Sequence, residues 1–273
     1  MKPAFSEAFE PERLDPAPTL GLDEPITADW AWGGSTGAGV KVAVIDSGID
    51  ADHPAVGGVA GGVAVEYDAE LPDRVRFDEG PHGDLYGHGT ACAGIIRALA
   101  PDVELYSVRV LGSSLTGKAR VFAHGVDWAI EHGMHVVNLS LSTTNDDWYG
   151  TFHDLADQAA FTGTMLVAAM ANERKSSYPG EFSSVFSVAA AEVSDPEHVL
   201  YNPHGPAEWG ATGIDVDVAW LDGATITATG NSFATPHVAG LIARIVAKRP
   251  GVTPFQVKTI LAAVAANSST RRP

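Results

Sequence analysis

Asp46, His88 and Ser232 are the residues of this 273-residue chain whose types and settings suit acyl transfer. A serine hydroxyl is a poor nucleophile until an imidazole takes its proton. The imidazole in turn needs a carboxylate on its other nitrogen, to fix its tautomer and stabilise the cation that forms. Asp46 closes the apolar run KVAVID (41–46) and is followed by Ser-Gly. His88 lies in YGHGTACAGII, where Gly-His-Gly gives way to a helical pattern. Ser232, in TGNSFATPHVAGLIARI, opens the longest apolar helix. A serine there places its own N–H and the positive end of the helix dipole near a developing oxyanion. Singly, such residues are ordinary turn, cap and N-cap residues. Their order and context together single them out.

Order also separates rival chemistries. Hydrolases that run serine, acid, histidine carry the serine in a G-x-S-x-G elbow. Here the local string is G-N-S-F-A, and no Asp or Glu follows Asp222, so Ser232 has no acid downstream. His237 lies five residues along the same helix, rotated roughly 140° away, and cannot serve as its base. His53, His124, His204 and His237 read as structural or exposed. No HExxH or clustered Cys/His spacing suggests zinc.

The elements that must position these residues alternate. Strand candidates lie at 41–46, 103–110, 135–142, 164–171, 186–193 and 214–219. Helical patterns cover 88–99, 119–132, 151–162, 233–248 and 254–266. Strands interleaved with helices predict an α/β fold with a mostly parallel sheet, whose function gathers in loops at the carboxyl ends of the strands. Residues 49–87, rich in Gly and Asp, read as surface loops. Residues 1–24, with four prolines, read as an irregular arm before a single domain at 25–273.

The chain carries 17 Lys plus Arg against 34 Asp plus Glu, a formal charge of −17. All six basic residues after position 232 (Arg244, Lys248, Arg249, Lys258, Arg271, Arg272) lie in a stretch without acids, which leaves the rest more acidic still. Such a body repels phosphate backbones and anionic lipid, so the expectation is no nucleic acid and no membrane partner. The N-terminus lacks an apolar core of signal-peptide length and nothing is long enough to span a bilayer. The expectation is a cytoplasmic protein, or a secreted one if the chain was trimmed. Cys92 is the lone cysteine, so no internal disulfide can form.

The three blocks VAVIDSGID, YGHGTACAGII and TGNSFATPHVAGLIA resemble, in order, the signature of the subtilisin family of serine proteases. SVRVLG (107–112), GVDWAIEHGMHVVNLSLS (125–142) and VAAMAN (167–172) extend the likeness, which runs from about Val40 to Ala265. The resemblance implies a three-layer fold and a serine endopeptidase acting on peptide or unfolded protein. It implies Asp46 as orienting acid, His88 as general base and acid, and Ser232 as nucleophile. Asn172 and the Ser232 N–H would hold the oxyanion. Ser140, Leu141 and Ser142 would wall the primary pocket, facing a substrate-binding strand near Leu115, Thr116 and Gly117.

Several positions depart from the family. Asn231 and Phe233 flank Ser232 where Thr and Met are usual, and an Asn amide could donate to the oxyanion in place of the threonine hydroxyl. Ser142 and Ala171 replace glycines, which predicts a preference for small or medium residues before the scissile bond. Cys92, one helical turn after His88, reads as a buried bystander. No cofactor is expected. Calcium is not expected at the family's usual tight site, since Leu99 to Val103 leaves no room for its loop, although acidic stretches at 66–79 and 145–147 offer ligands. A selective processing protease that trims a leader from a precursor is the narrower expectation. Two rivals are a transpeptidase or macrocyclase using the same acyl-enzyme, and a non-catalytic peptide-binding module.

Overall fold

The structure, a computed structural model, describes residues 25–268. The expected arm at 1–24 lies outside the described residues. Its strands are β1 (Lys41–Asp46), β2 (Gly61–Tyr67), β3 (Val75–Glu79), β4 (Glu104–Arg109), β5 (Val136–Leu139), β6 (Met165–Ala169), β7 (Phe186–Ala191), β8 (Leu200–Tyr201), β9 (Trp209–Thr212), β10 (Val216–Ala219) and β11 (Thr225–Ala228). Its helices are α1 (Ala28–Trp32), α2 (His88–Leu99), α3 (Ala119–Glu131), α4 (Tyr149–Thr162), α5 (Asn231–Lys248) and α6 (Pro254–Val264). Nine strands form one sheet in the order β3-β2-β4-β1-β5-β6-β7-β9-β8, while β10 and β11 pair separately. Within the large sheet only the outermost pairs, β2–β3 and β8–β9, are antiparallel.

Strand β1 explains why the sheet is covered on both faces. Successive side chains along a strand point to opposite sides. Val42 and Val44 enter a core shared with α2, α5 and α6, through residues such as Cys92, Leu241 and Leu261. Ala43 and Ile45 enter a second core with α3 and α4, through Val126 and Phe152. A strand buried on both faces needs a continuous apolar run, and KVAVID supplies it. The alternation carries Asp46 onto the α2 and α5 side, in step with Val42 and Val44.

The segment 49–87 corrects one expectation, because it contains β2 and β3 rather than loops alone. Strand β2 begins Gly61-Gly62, residues that read as turn formers. A side-chain carbon on Gly62 would stand 2.2 Å from the Ser107 carbonyl oxygen, so glycine is what lets β2 approach β4. Strand β3 lies on the edge and buries Val75 alone, which leaves no apolar alternation to read. Likewise 214–219 holds a strand, but it pairs antiparallel with β11 outside the main sheet.

The basic residues near the C-terminus also find their reason. Lys248 Nζ donates to the carbonyls of Asp29 and Gly33, Arg249 Nη2 donates to the Trp30 carbonyl, and Arg244 Nη1 pairs with Glu197 at 2.6 Å. Cations from the end of α5 thus meet the C-terminal carbonyls of α1, where a helix end is negative. Lys258 Nζ reaches the carbonyls of Ser183 and Val185 and the carboxylate of Glu208. Among the described residues, no helix is long and apolar enough to cross a membrane.

Candidate active site

Asp46 ends β1, His88 is the first residue of α2, and Ser232 is the second residue of α5. Helices α2 and α5 pack together on one face of the sheet, with Ile96, Val238 and Leu241 in their shared core. That packing brings their N-termini to the carboxyl end of β1. His88 Nδ1 lies 3.0 Å from Asp46 Oδ1 and 2.8 Å from Oδ2, and the carboxylate is wholly buried. The Ser47 N–H also donates to Asp46 Oδ1 at 2.8 Å. With Nδ1 held by the carboxylate, Nε2 is the ring nitrogen left for a substrate-side partner. The assigned roles are thus Nδ1–H as donor and Nε2 as acceptor.

His88 and Ser232 line one cleft of about 570 Å³ together with Leu115, Ser140, Leu141, Ser142, Ala171 and Asn172. The Phe233 ring packs against the imidazole, 5.3 Å between centroids. A side-chain carbon built on Gly230 would stand 3.3 Å from Ser232 Oγ and 3.8 Å from Asn172 Nδ2. The hydroxyl and the amide nitrogen therefore both lie within 4 Å of one point beside Gly230. Ser232 lies in the first turn of α5, so its N–H is among the donors that the helix leaves without an internal acceptor. Its carbonyl accepts from Ser140 Oγ at 2.7 Å, and Asn138 Nδ2 donates to Ser140 Oγ at 3.0 Å. Thr116 and Gly117 line an adjoining pocket with Leu115, Phe122 and Leu141. Residues 115–117 leave a tight turn closed by Gly112 and Thr116 and form no strand in this structure.

Two sequence readings change. Asn231 does not turn its amide into the cleft. Its Nδ2 donates to the carbonyls of Met170 and Ala171, so the suggested second oxyanion donor is spent elsewhere. Asp84, which the sequence reading passed over, is a central anchor. Its Oδ1 accepts from Ser47 Oγ, Tyr86 N–H and Gly87 N–H, and its Oδ2 accepts from Thr90 N–H and Thr90 Oγ. One carboxylate thus ties the residue after Asp46 to the turn and first residues around His88. Gly87, not Asp84, occupies the N-cap position of α2, so no capping spacing in the sequence signals this anchor.

Electrostatics favour a charged imidazole. Burial alone would lower the His88 pKa. The Asp46 charge, its hydrogen bond and the Asp84 charge outweigh burial and leave the pKa above the usual 6.5. Cys92 Sγ lies 4.0 Å from Asp46 Oδ2 and 3.7 Å from the Ser232 carbonyl. Burial first, then the Asp46 charge, pushes its thiol well above the ordinary range, so it stays protonated and is no nucleophile. Among the described residues, the one converging group of three side chains able to ligate a metal is Asp46, His88 and Cys92, which is this same cluster. His237 donates through Nδ1 to the Phe233 carbonyl, and burial lowers its pKa.

Comparison with known proteins places the chain. The model of the subtilase family matches residues 37–272, and the chain belongs to that family. Subtilisin E of Bacillus subtilis is 35% identical over 248 residues, covering 85% of this chain and 62% of that protein. The minor extracellular protease Epr of the same species is 33% identical over 248 residues, covering 86% of this chain and 36% of its own length. A cold adapted subtilisin-like serine proteinase of known structure matches with a TM-score of 0.67 and 27% identity, over 86% of this chain and 87% of that one. The chain thus spans less than two thirds of the curated relatives, while covering most of the solved domain.

Asp84→Asn is expected to act on both structure and titration. An amide NH₂ in place of Oδ2 would face the Thr90 N–H, and a charge that raises the His88 pKa is removed. If activity requires neutral His88, its acidic limb should move to lower pH and the melting temperature should fall. A pH profile of kcat/KM beside a thermal melt checks both. An unmoved acidic limb would contradict the electrostatic part.

Proposed function

We propose that this chain is a serine endopeptidase that cleaves peptide bonds through an acyl-enzyme, with Asp46, His88 and Ser232 as its relay and nucleophile. The observation that carries the reading is the His88 Nδ1 contact to the Asp46 carboxylate, at 2.8 Å on its shorter side, with the ring bordering the cleft that Ser232 and Asn172 share. The relatives' names, which describe proteases, support the same activity.

In this mechanism Ser232 Oγ attacks the peptide carbonyl carbon as His88 Nε2 takes the hydroxyl proton. Asp46 holds Nδ1–H and stabilises the imidazolium. Asn172 Nδ2–H and the Ser232 N–H donate to the tetrahedral oxyanion, whose charge they meet without reorganising. Collapse breaks the carbon–nitrogen bond, and the leaving amine carries off the proton from His88. A water then adds to the acyl ester by the same route, its proton passing to His88 and on to Ser232 Oγ. Leu115 and residues 140–142 border the cleft, and Thr116 and Gly117 join them in the adjoining pocket, so an extended peptide laid along these segments would pair edgewise with their backbones. Unstructured segments of protein are the matching substrates.

Wild-type protein should react covalently with a fluorophosphonate probe, and Ser232→Ala should lose the label while melting at the same temperature. Labelling that persists in Ser232→Ala would contradict the nucleophile. Ser142, Met170 and Ala171 all border the cleft near Ser232. Matched peptides with Ala, Leu or Phe before the scissile bond should therefore show higher kcat/KM for Ala and Leu. A clear preference for Phe would refute that reading of the pocket wall.

A further inference from the structure

Asn231 precedes Ser232 and spends both of its amide N–H donors within the protein. Nδ2 donates to the Met170 carbonyl at 3.0 Å and to the Ala171 carbonyl at 3.1 Å. Oδ1 accepts from the Ala190 N–H at 2.8 Å. Its backbone N–H donates to Asn172 Oδ1 at 3.0 Å. A carboxamide has two N–H donors and both are spent here, so none remains to offer a substrate oxyanion.

The partners share a purpose. Met170, Ala171 and Asn172 follow β6 and form the side of the cleft facing Ser232, and Ala190 belongs to β7. The sheet holds this segment up to Met170, whose N–H donates to the Val188 carbonyl. Past that point the ladder ends, and Ser177 Oγ receives the Ala171 N–H. The two carbonyls that reach toward α5 are met by Asn231. With Asn172 Oδ1 occupied by the Asn231 N–H, Nδ2 is the end of that carboxamide free to face the cleft, beside Ser232 Oγ.

We propose that Asn231 is a positioning residue, acting through Asn172 to hold the oxyanion donor in register with Ser232 without touching substrate. This rests on the reading of Ser232 as nucleophile and Asn172 as oxyanion donor. Losing the side chain takes this partner from the Met170 and Ala171 carbonyls of the wall and from the Ala190 N–H of β7. Donors that strengthen binding only at the transition state are sensitive to small displacements.

The test uses the full chain with Asn231→Ala, Asn231→Ser and Asn172→Ala, singly and combined. The readouts are kcat, KM, thermal melting and inhibition by a peptide boronate, whose tetrahedral adduct mimics the intermediate. Asn231→Ala should lower kcat about 10- to 100-fold with KM nearly unchanged, and weaken the boronate in parallel. Asn231→Ser keeps a hydroxyl able to reach one partner, should lose less, and carries the test if the alanine variant fails to fold. In the Asn172→Ala background, replacing Asn231 should lower kcat little further. Wild-type kcat in the Asn231 variants, or an equal loss in both backgrounds, overturns the proposal. If Asn172→Ala alone leaves kcat unchanged, the oxyanion reading falls and the proposal with it. A drop in Asn172→Ala with none at Asn231 overturns the proposal alone.

Discussion

A carboxylate with no solvent exposure sits at the end of β1, and the hydrogen bond from His88 Nδ1 to that carboxylate organises what surrounds it. Burying a charge is costly unless donors and a partner charge meet it. Here the Ser47 N–H and the imidazole meet Asp46, and Asp84 braces both by gripping Ser47 Oγ and the start of α2. The same pair of acids outweighs the burial that would otherwise lower the His88 pKa. Sign follows from this. A raised pKa makes the folded state favour the protonated imidazole, so the pair stabilises the fold at low pH and loses that contribution as pH climbs through the raised value. The proposed catalysis needs the neutral ring, so stability and activity draw on opposite protonation states of one side chain.

The layers of the fold serve that contact. Alternation along β1 sends Asp46 to the face where α2 and α5 pack, and each helix presents its N-terminus there. Ser232 arrives on the first turn of α5, anchored through its carbonyl by Ser140 at the end of β5. Asn172 arrives from the end of β6, anchored by Asn231. Ser232 and Asn172 thus come from different elements, and each is held by a residue of another element. At the far end of α5, Arg244, Lys248 and Arg249 hold the carbonyls of Trp32, Gly33 and Trp30, so the helix that begins at the cleft ends in a clamp on α1.

Much of this was legible in the residues. The doubly buried strands at 41–46 and 165–169 announce themselves as apolar runs, and α2 and α5 begin within two residues of the positions their patterns predict. The proposed chemistry is the one that Asp46, His88 and Ser232 suggest, because the order of those types in a strand-helix series leaves few alternatives. Strands β2 and β3 could not be read. Gly61 and Gly62 are chosen for close approach to β4, and an exposed edge strand has no buried alternation to show. Asn231 and Asp84 were hidden for another reason. Asn231 meets Met170, 61 residues away, and Asp84 meets Ser47, 37 residues away, which spacing along the chain does not encode.

The central claim is that Asp46 fixes the His88 ring with Nδ1 protonated and Nε2 turned to Ser232. Nitrogen-15 NMR of the imidazole as a function of pH reads this directly. The account predicts that neutral His88 is the Nδ1–H tautomer, that its protonation midpoint lies above the ordinary histidine value, and that Asp46→Asn abolishes both properties. A neutral ring found as the Nε2–H tautomer, or a midpoint and tautomer indifferent to Asp46→Asn, would contradict it.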